Sequence, residues 1–229
     1  HDTIGSLIEA DRRIIAIGMA VPGPYLRNVG RTAVVSSMRG WQKVNFIHEF
    51  SNAFTVPVFV EQDARAGAMA QYLIDPTITT ENLACYLVGE DVGLGVIDHG
   101  NIINGALGAA TEIGHVSIDI NGKPCDCGNV GCLERYCSTP AIHEMILKED
   151  DLIADAGTMT HLQACRALFA LARGGDKRAI ALIKRVARYV GFGCITIFNS
   201  FNPSQIVIGD IVAEAGQLLL DEVHKVIDK

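Results

Sequence analysis

Aromatic residues make up only 6% of this 229-residue chain, with a single Trp, so it lacks the stacking platform that single-stranded nucleic acid binders use. Positive charge is short as well: 19 Lys and Arg stand against 26 Asp and Glu, a formal net charge of −7. A duplex-binding face needs clustered Lys and Arg to replace counterions along the phosphates. The densest basic stretch, residues 166–188 with Lys177, Arg178, Lys184 and Arg185, is amphipathic, and its charges read as the solvated face of a helix. This segment by itself is not expected to bind DNA. No apolar run reaches the roughly 20 residues that span a bilayer. The start, His1-Asp2-Thr3-Ile4-Gly5, has no basic region followed by an apolar core, so no signal peptide is read there.

What remains is ordinary for a soluble globular protein: 49% hydrophobic and 20% charged residues, on a chain long enough for one large domain or two small ones. The apolar run 13–21 ends in Pro22-Gly23-Pro24 and reads as a buried strand entering a sharp turn. Residues 56–60 form a second such strand, followed by Glu61-Gln62-Asp63 and a helix over 64–73. Asp75-Pro76 breaks that helix and marks a boundary between a smaller lobe, 1–75, and a larger one, 76–229. Residues 83–88 and 93–97 read as strands around a turn at Gly89-Glu90-Asp91. Helical periodicity covers 141–147, 161–174 and 178–198, with Gly191 and Gly193 weakening the second half of the last. A short strand at 206–208 and a closing helix over 213–227 complete an α/β alternation.

Seven cysteines is an odd number, and three of them crowd into 125–132. His115 is followed by nine residues, Cys125, one residue, Cys127, four residues and Cys132. Four such ligands on a short loop can surround one tetrahedral Zn²⁺ with no position left for water, which makes the metal structural. A disulfide between Cys125 and Cys127 would be badly strained. The other four cysteines (Cys85, Cys137, Cys165, Cys194) lie in apolar surroundings and read as small buried hydrophobes. A reducing cytoplasm suits both groups.

Glu112-Ile113-Gly114-His115, followed by Cys125-Asp126-Cys127-Gly128-Asn129-Val130-Gly131-Cys132-Leu133-Glu134, resembles the signature of the ROK (repressor, ORF, kinase) family. The likeness extends through residues 18–23, Gly40-Trp41, 61–66, 89–95 and 202–209, nearly the whole chain. It implies an actin-like (ribonuclease H-like), two-lobed α/β sugar kinase fold. Family members begin with strands carrying an Asp-x-Gly-x-Thr phosphate loop, which this sequence does not contain ahead of Arg13. The chain is therefore expected to be incomplete at both ends, with the first strands and phosphate loop of the smaller lobe missing. A DNA-binding winged helix, which family repressors carry ahead of that region, would lie outside it too.

The same resemblance places Asp63 at the catalytic base of the family's kinases. Glu112, His115 and Glu134 fall at positions that contact sugar hydroxyls. His115 would serve twice, on zinc through one ring nitrogen and facing the ligand with the other. From the residues alone, Asp63 reads as a helix N-cap. Two departures stand out: Gln62 where the family commonly has Asn, and Ser37 in place of a sugar-contacting Asn near Trp41.

Family kinases have a Gly-Thr-Gly turn where this chain reads Gly89-Glu90-Asp91, and paired glycines where Gly209 is followed by Asp210. Carboxylates at that turn would repel phosphate oxygens, although Mg²⁺ could offset part of this. The expectation is a sugar-binding effector domain of a ROK transcriptional regulator, a repressor of carbohydrate metabolism and not an enzyme. Its partners would be a small sugar, operator DNA reached through a segment absent from this chain, and further copies of itself in a homo-dimer or tetramer. The alternative is an ATP- and Mg²⁺-dependent hexose or N-acetylhexosamine kinase of the same family, with Asp63 as base.

Overall fold

A computed structural model describes residues 2–33, 40–50 and 53–228. The chain opens with helix α1 (Asp2–Ala10), none of whose residues is buried. Strand β1 (Ile17–Val21) leads to a hairpin of β2 (Tyr25–Leu26) and β3 (Arg31–Thr32), then to a short helix α2 (Phe46–Phe50) and strand β4 (Val58–Gln62). β1 and β4 pair in parallel, with Ile17 opposite Val58 and Val21 opposite Gln62. The expected strand over 13–21 is thus shorter at its start. β4 offers partners only from Val58, and Ile15, ahead of them, is 80% exposed. Val21, Tyr25 and Phe46 form a small core of their own.

Helix α3 (Asp63–Ile74) starts directly from β4 and packs on the first two strands of the larger sheet, β5 (Leu83–Val88) and β6 (Val92–Asp98). β6 carries glycine where the helix crosses it. A Cβ on Gly95 would stand 2.2 Å from the Ala64 carbonyl oxygen, so only Gly lets α3 lie this close. The sheet runs β7 (Asn101–Ile102), β6, β5, β8 (Gln205–Gly209), with β8 parallel to β5 and the others antiparallel.

Helices α4 (Glu134–Cys137), α5 (Thr139–Ile146), α6 (His161–Arg173), α7 (Lys177–Phe201) and α8 (Gln217–Ile227) cover the other face. α6 begins in a capping box: Thr160 Oγ1 accepts from Gln163 N and Gln163 Oε1 accepts from Thr160 N. Asp176 caps α7 through Arg178 N and Ala179 N. α7 is continuous for 25 residues, past the two glycines expected to weaken it. Those glycines are contact points: a Cβ on Gly191 would meet Val226 at 2.8 Å, and one on Gly193 would meet Tyr86 Oη at 2.3 Å. Packing against α8 and β5 outweighs the roughly 1 kcal/mol that each glycine costs a helix. The closing helix divides at Gly216, whose φ of 65° ends a 3₁₀ turn over Ile211–Ala215 before α8 begins. No helix among the described residues is long and apolar enough to cross a membrane.

Candidate functional site

Four separate segments converge on one cleft. The β4–α3 junction supplies Gln62 and Asp63; the β5–β6 turn supplies Asp91. A 3₁₀ turn (Ile113–His115) presents Glu112 and His115, and the first residue of α4 is Glu134. The cleft is small and partly open to solvent, with Gly23 and Pro24, from the turn after β1, also on its wall. A larger cavity of about 500 Å³ lies among β2, α2 and β4, but its walls are mainly apolar (Tyr25, Phe46, Phe50, Phe59), with Arg27 and Glu61 as its charged members. Titratable groups concentrate in the smaller space, which is where ligand chemistry belongs. Five of the six residues expected to line a sugar site therefore meet here. Ser37 lies outside the described residues.

Asp63 occupies the first position of α3, and Gln62, not Asp63, is the N-cap residue. Asp63 Oδ1 accepts from Ala64 N at 2.7 Å, so one oxygen serves the helix start. Burial, with the like charges of Asp91 and Asp210, raises its pKa to about 6. Burial likewise raises Glu112 to about 7, against the opposing pull of Arg65. Gln62 is 2% exposed; its Nε2 donates to Glu112 Oε1 at 3.4 Å, and its own Oε1 has no protein partner. Glu134 accepts from Val92 N at 3.2 Å through Oε2. Half-buried carboxyls close to neutrality, beside an unpaired amide oxygen, can accept hydrogen bonds from several hydroxyls of one polyol.

Arg65 and Asp91 are site residues that the sequence reading did not place. Arg65 is fully buried behind the cleft, donating Nε to Glu61 Oε1 at 2.8 Å and Nη2 to the Tyr25 carbonyl at 3.3 Å. An Arg two residues beyond Asp63, at the start of a helix, was the available signal. Of the two acidic residues in the β5–β6 turn, only Asp91 lines the cleft, and burial raises its pKa. Glu90 turns away, towards Thr139 and His161.

His115, Cys125, Cys127 and Cys132 place one ligand atom each within 4.8 Å of all the others. Cys127 Sγ and Cys132 Sγ are 3.6 Å apart, and Cys125 Sγ lies 3.8 Å from His115 Nδ1. Tetrahedral ligands at about 2.3 Å from a common ion stand about 3.8 Å from one another, so the four fit a single metal ion. Burial lowers the His115 pKa and keeps the ring neutral, the form that binds metal. Gly131 makes the loop possible: its φ is 70°, and a Cβ there would lie 1.8 Å from the Asp119 carbonyl oxygen. With Nδ1 facing the cysteines, His115 also belongs to the wall of the cleft, so the His/Cys cluster and the cleft share a residue.

The ROK family model matches residues 1–229. The chain is 28% identical over 226 residues to the xylose repressor of Caldicellulosiruptor bescii, covering 96% of this chain and 56% of that protein. It is 31% identical over 219 residues to the glucokinase of Halalkalibacterium halodurans, covering 93% of this chain and 66% of the relative. Among solved structures it is similar to a ROK family transcriptional regulator, a homolog of the E. coli MLC protein. The TM-score is 0.83 at 27% identity, over 99% of this chain and 58% of that one. The chain thus spans little more than half the length of the regulators it matches.

Proposed function

The chain belongs to the ROK family, with its actin-like fold, and from that premise we propose that it is the sugar-binding effector domain of a transcriptional regulator of carbohydrate metabolism. Asp63, Glu112, His115 and Glu134, with Gln62 and Ser37, hold the hydroxyls of a small sugar. The metal is zinc, structural in role: it orients His115 and anchors the loop that presents Glu134. A cytoplasmic setting keeps its thiolates reduced.

The observation that carries the choice of regulator is the pair of carboxylates around the β5–β6 turn. Asp91 lines the cleft beside Asp63, and Asp210 packs against Gly89, where a Cβ would lie 2.0 Å from Asp210 Oδ2. A phosphoryl oxygen brought to that turn would face both. At about 4 Å and an effective dielectric of about 20, each like-charge contact costs about 4 kcal/mol.

Sugar binding between the lobes, residues 1–75 and 76–229, closes the cleft. Closure moves a DNA-binding segment outside this chain relative to its counterpart in a dimer or tetramer. The test is operator binding by the full-length protein across a broad sugar panel. One sugar should shift it strongly, and an unchanged affinity throughout would overturn the reading. A second reading, an ATP-dependent hexose or N-acetylhexosamine kinase with Mg²⁺, is favoured by the likeness to the H. halodurans glucokinase and by the pKa of Asp63, about 6, which suits a general base.

A further inference from the structure

The turn between β5 and β6 carries Asp91, Val92 and Gly93 on the wall of the cleft, while Glu90 points the other way. One Glu90 carboxylate oxygen accepts from Thr139 Oγ1 at 2.9 Å, and the other lies 2.7 Å from His161 Nδ1. The Thr139 backbone N–H donates to the Gly89 carbonyl at 2.7 Å, so the start of α5 holds the turn twice. These partners are themselves fixed. Thr139 is 1% exposed, and the His161 ring stands edge-on to His143 with centroids 5.4 Å apart. His143 Nε2 is tied in turn to the Ala156 carbonyl at 2.8 Å. Within the turn itself, Gly89 N to the Asp91 carbonyl is the closing hydrogen bond.

We propose that Glu90 is a positioning residue of the sugar site: by fastening the turn to the starts of α5 and α6, it holds Asp91 and the Val92–Gly93 backbone on the cleft. The proposal rests on the reading of that cleft as a sugar site. Its consequence reaches past the turn. Val92 N donates to Glu134 Oε2 at 3.2 Å, so a turn that drifts releases a carboxylate assigned to sugar hydroxyls. Glu90 touches no ligand and acts wholly through Asp91 and Val92.

The test compares Glu90→Ala and Glu90→Gln in the full-length, zinc-loaded protein. It reads amide hydrogen exchange at residues 89–93 and calorimetric titration with D-glucose and D-xylose. A Gln side chain can still accept from Thr139 and donate to His161. Glu90→Ala should speed exchange at 89–93 and weaken binding of whichever sugar the wild type takes by about tenfold. Glu90→Gln should keep most of the protection and bind within about threefold of wild type. His161→Ala should resemble Glu90→Ala, and the double variant should add little, as expected for residues acting through one contact. Wild-type exchange at 89–93 in Glu90→Ala overturns the clamp whatever the sugar does. Faster exchange with unchanged sugar affinity overturns its role in the site. Where the wild type binds neither sugar, the exchange comparison decides the clamp alone, and the sugar reading stands or falls on the broader panel.

Discussion

Asp63→Asn should make the protein more stable at neutral pH while weakening its ligand site. Burial, then Asp91 and Asp210, lift the Asp63 carboxyl from 3.8 to about 6 in the fold. A rise of about two units corresponds to about 3 kcal/mol against the charged form, and partial contact with solvent reduces that to about 1–2 kcal/mol. Between about pH 4 and pH 6 the folded protein keeps a proton that the unfolded chain has released, so stability falls as pH rises through that window. Below it the penalty is absent, and above it the penalty is complete. Asparagine has no charge to desolvate, and its carbonyl oxygen can still accept from Ala64 N, the bond Asp63 Oδ1 makes at 2.7 Å. Thermal melting should therefore give nearly equal Tm values at pH 4 and a variant about 2–8 °C more stable at pH 8. Loss of metal at low pH affects both proteins alike and drops out of the difference. The same variant should bind sugar at least about tenfold more weakly, because an ionised acceptor has been replaced by a neutral one. A variant less stable than wild type at pH 8, or a Tm difference that is the same at both pH values, would refute the electrostatic reasoning.

Cys127→Ser should abolish stoichiometric zinc binding, measured by elemental analysis, and speed hydrogen exchange across residues 115–134, while the far-UV signal of the α/β core is kept. Its sugar affinity should fall with it, since His115 belongs to both centres; an unaltered affinity in the zinc-free protein would break the proposed link. Chelation of the wild type should reproduce the variant, and restoring zinc should reverse it.

The convergence of His115, Cys125, Cys127 and Cys132 was legible because His115 and Cys132 bracket a short loop whose spacing suits closure round an ion. Strand β5 and helix α6 were equally plain, one from its continuous apolar run and the other from its periodicity. The course of α7 was not. Gly191 and Gly193 look like helix weaknesses in isolation and become intelligible only against Val226 and Tyr86, residues distant in the chain. Glu90, expected with Asp91 to face phosphate oxygens, turns away for a reason equally hidden in the sequence. Its partners lie 49 and 71 positions away, so nothing local shows which way its carboxylate points. Arg65 is the opposite case. It sits beside a recognised motif, yet only the fold puts its guanidinium at 0% exposure behind the cleft.

The central claim is that this cleft senses sugar and does not transfer phosphate. Titration calorimetry of Mg-ATP into the full-length, zinc-loaded protein tests it most directly. With Asp91 in the cleft and Asp210 against Gly89, no binding should be detected in a folded protein that still responds to its sugar. Micromolar Mg-ATP binding, accompanied by phosphorylated sugar that Asp63→Asn abolishes, would contradict the account and make the protein a kinase.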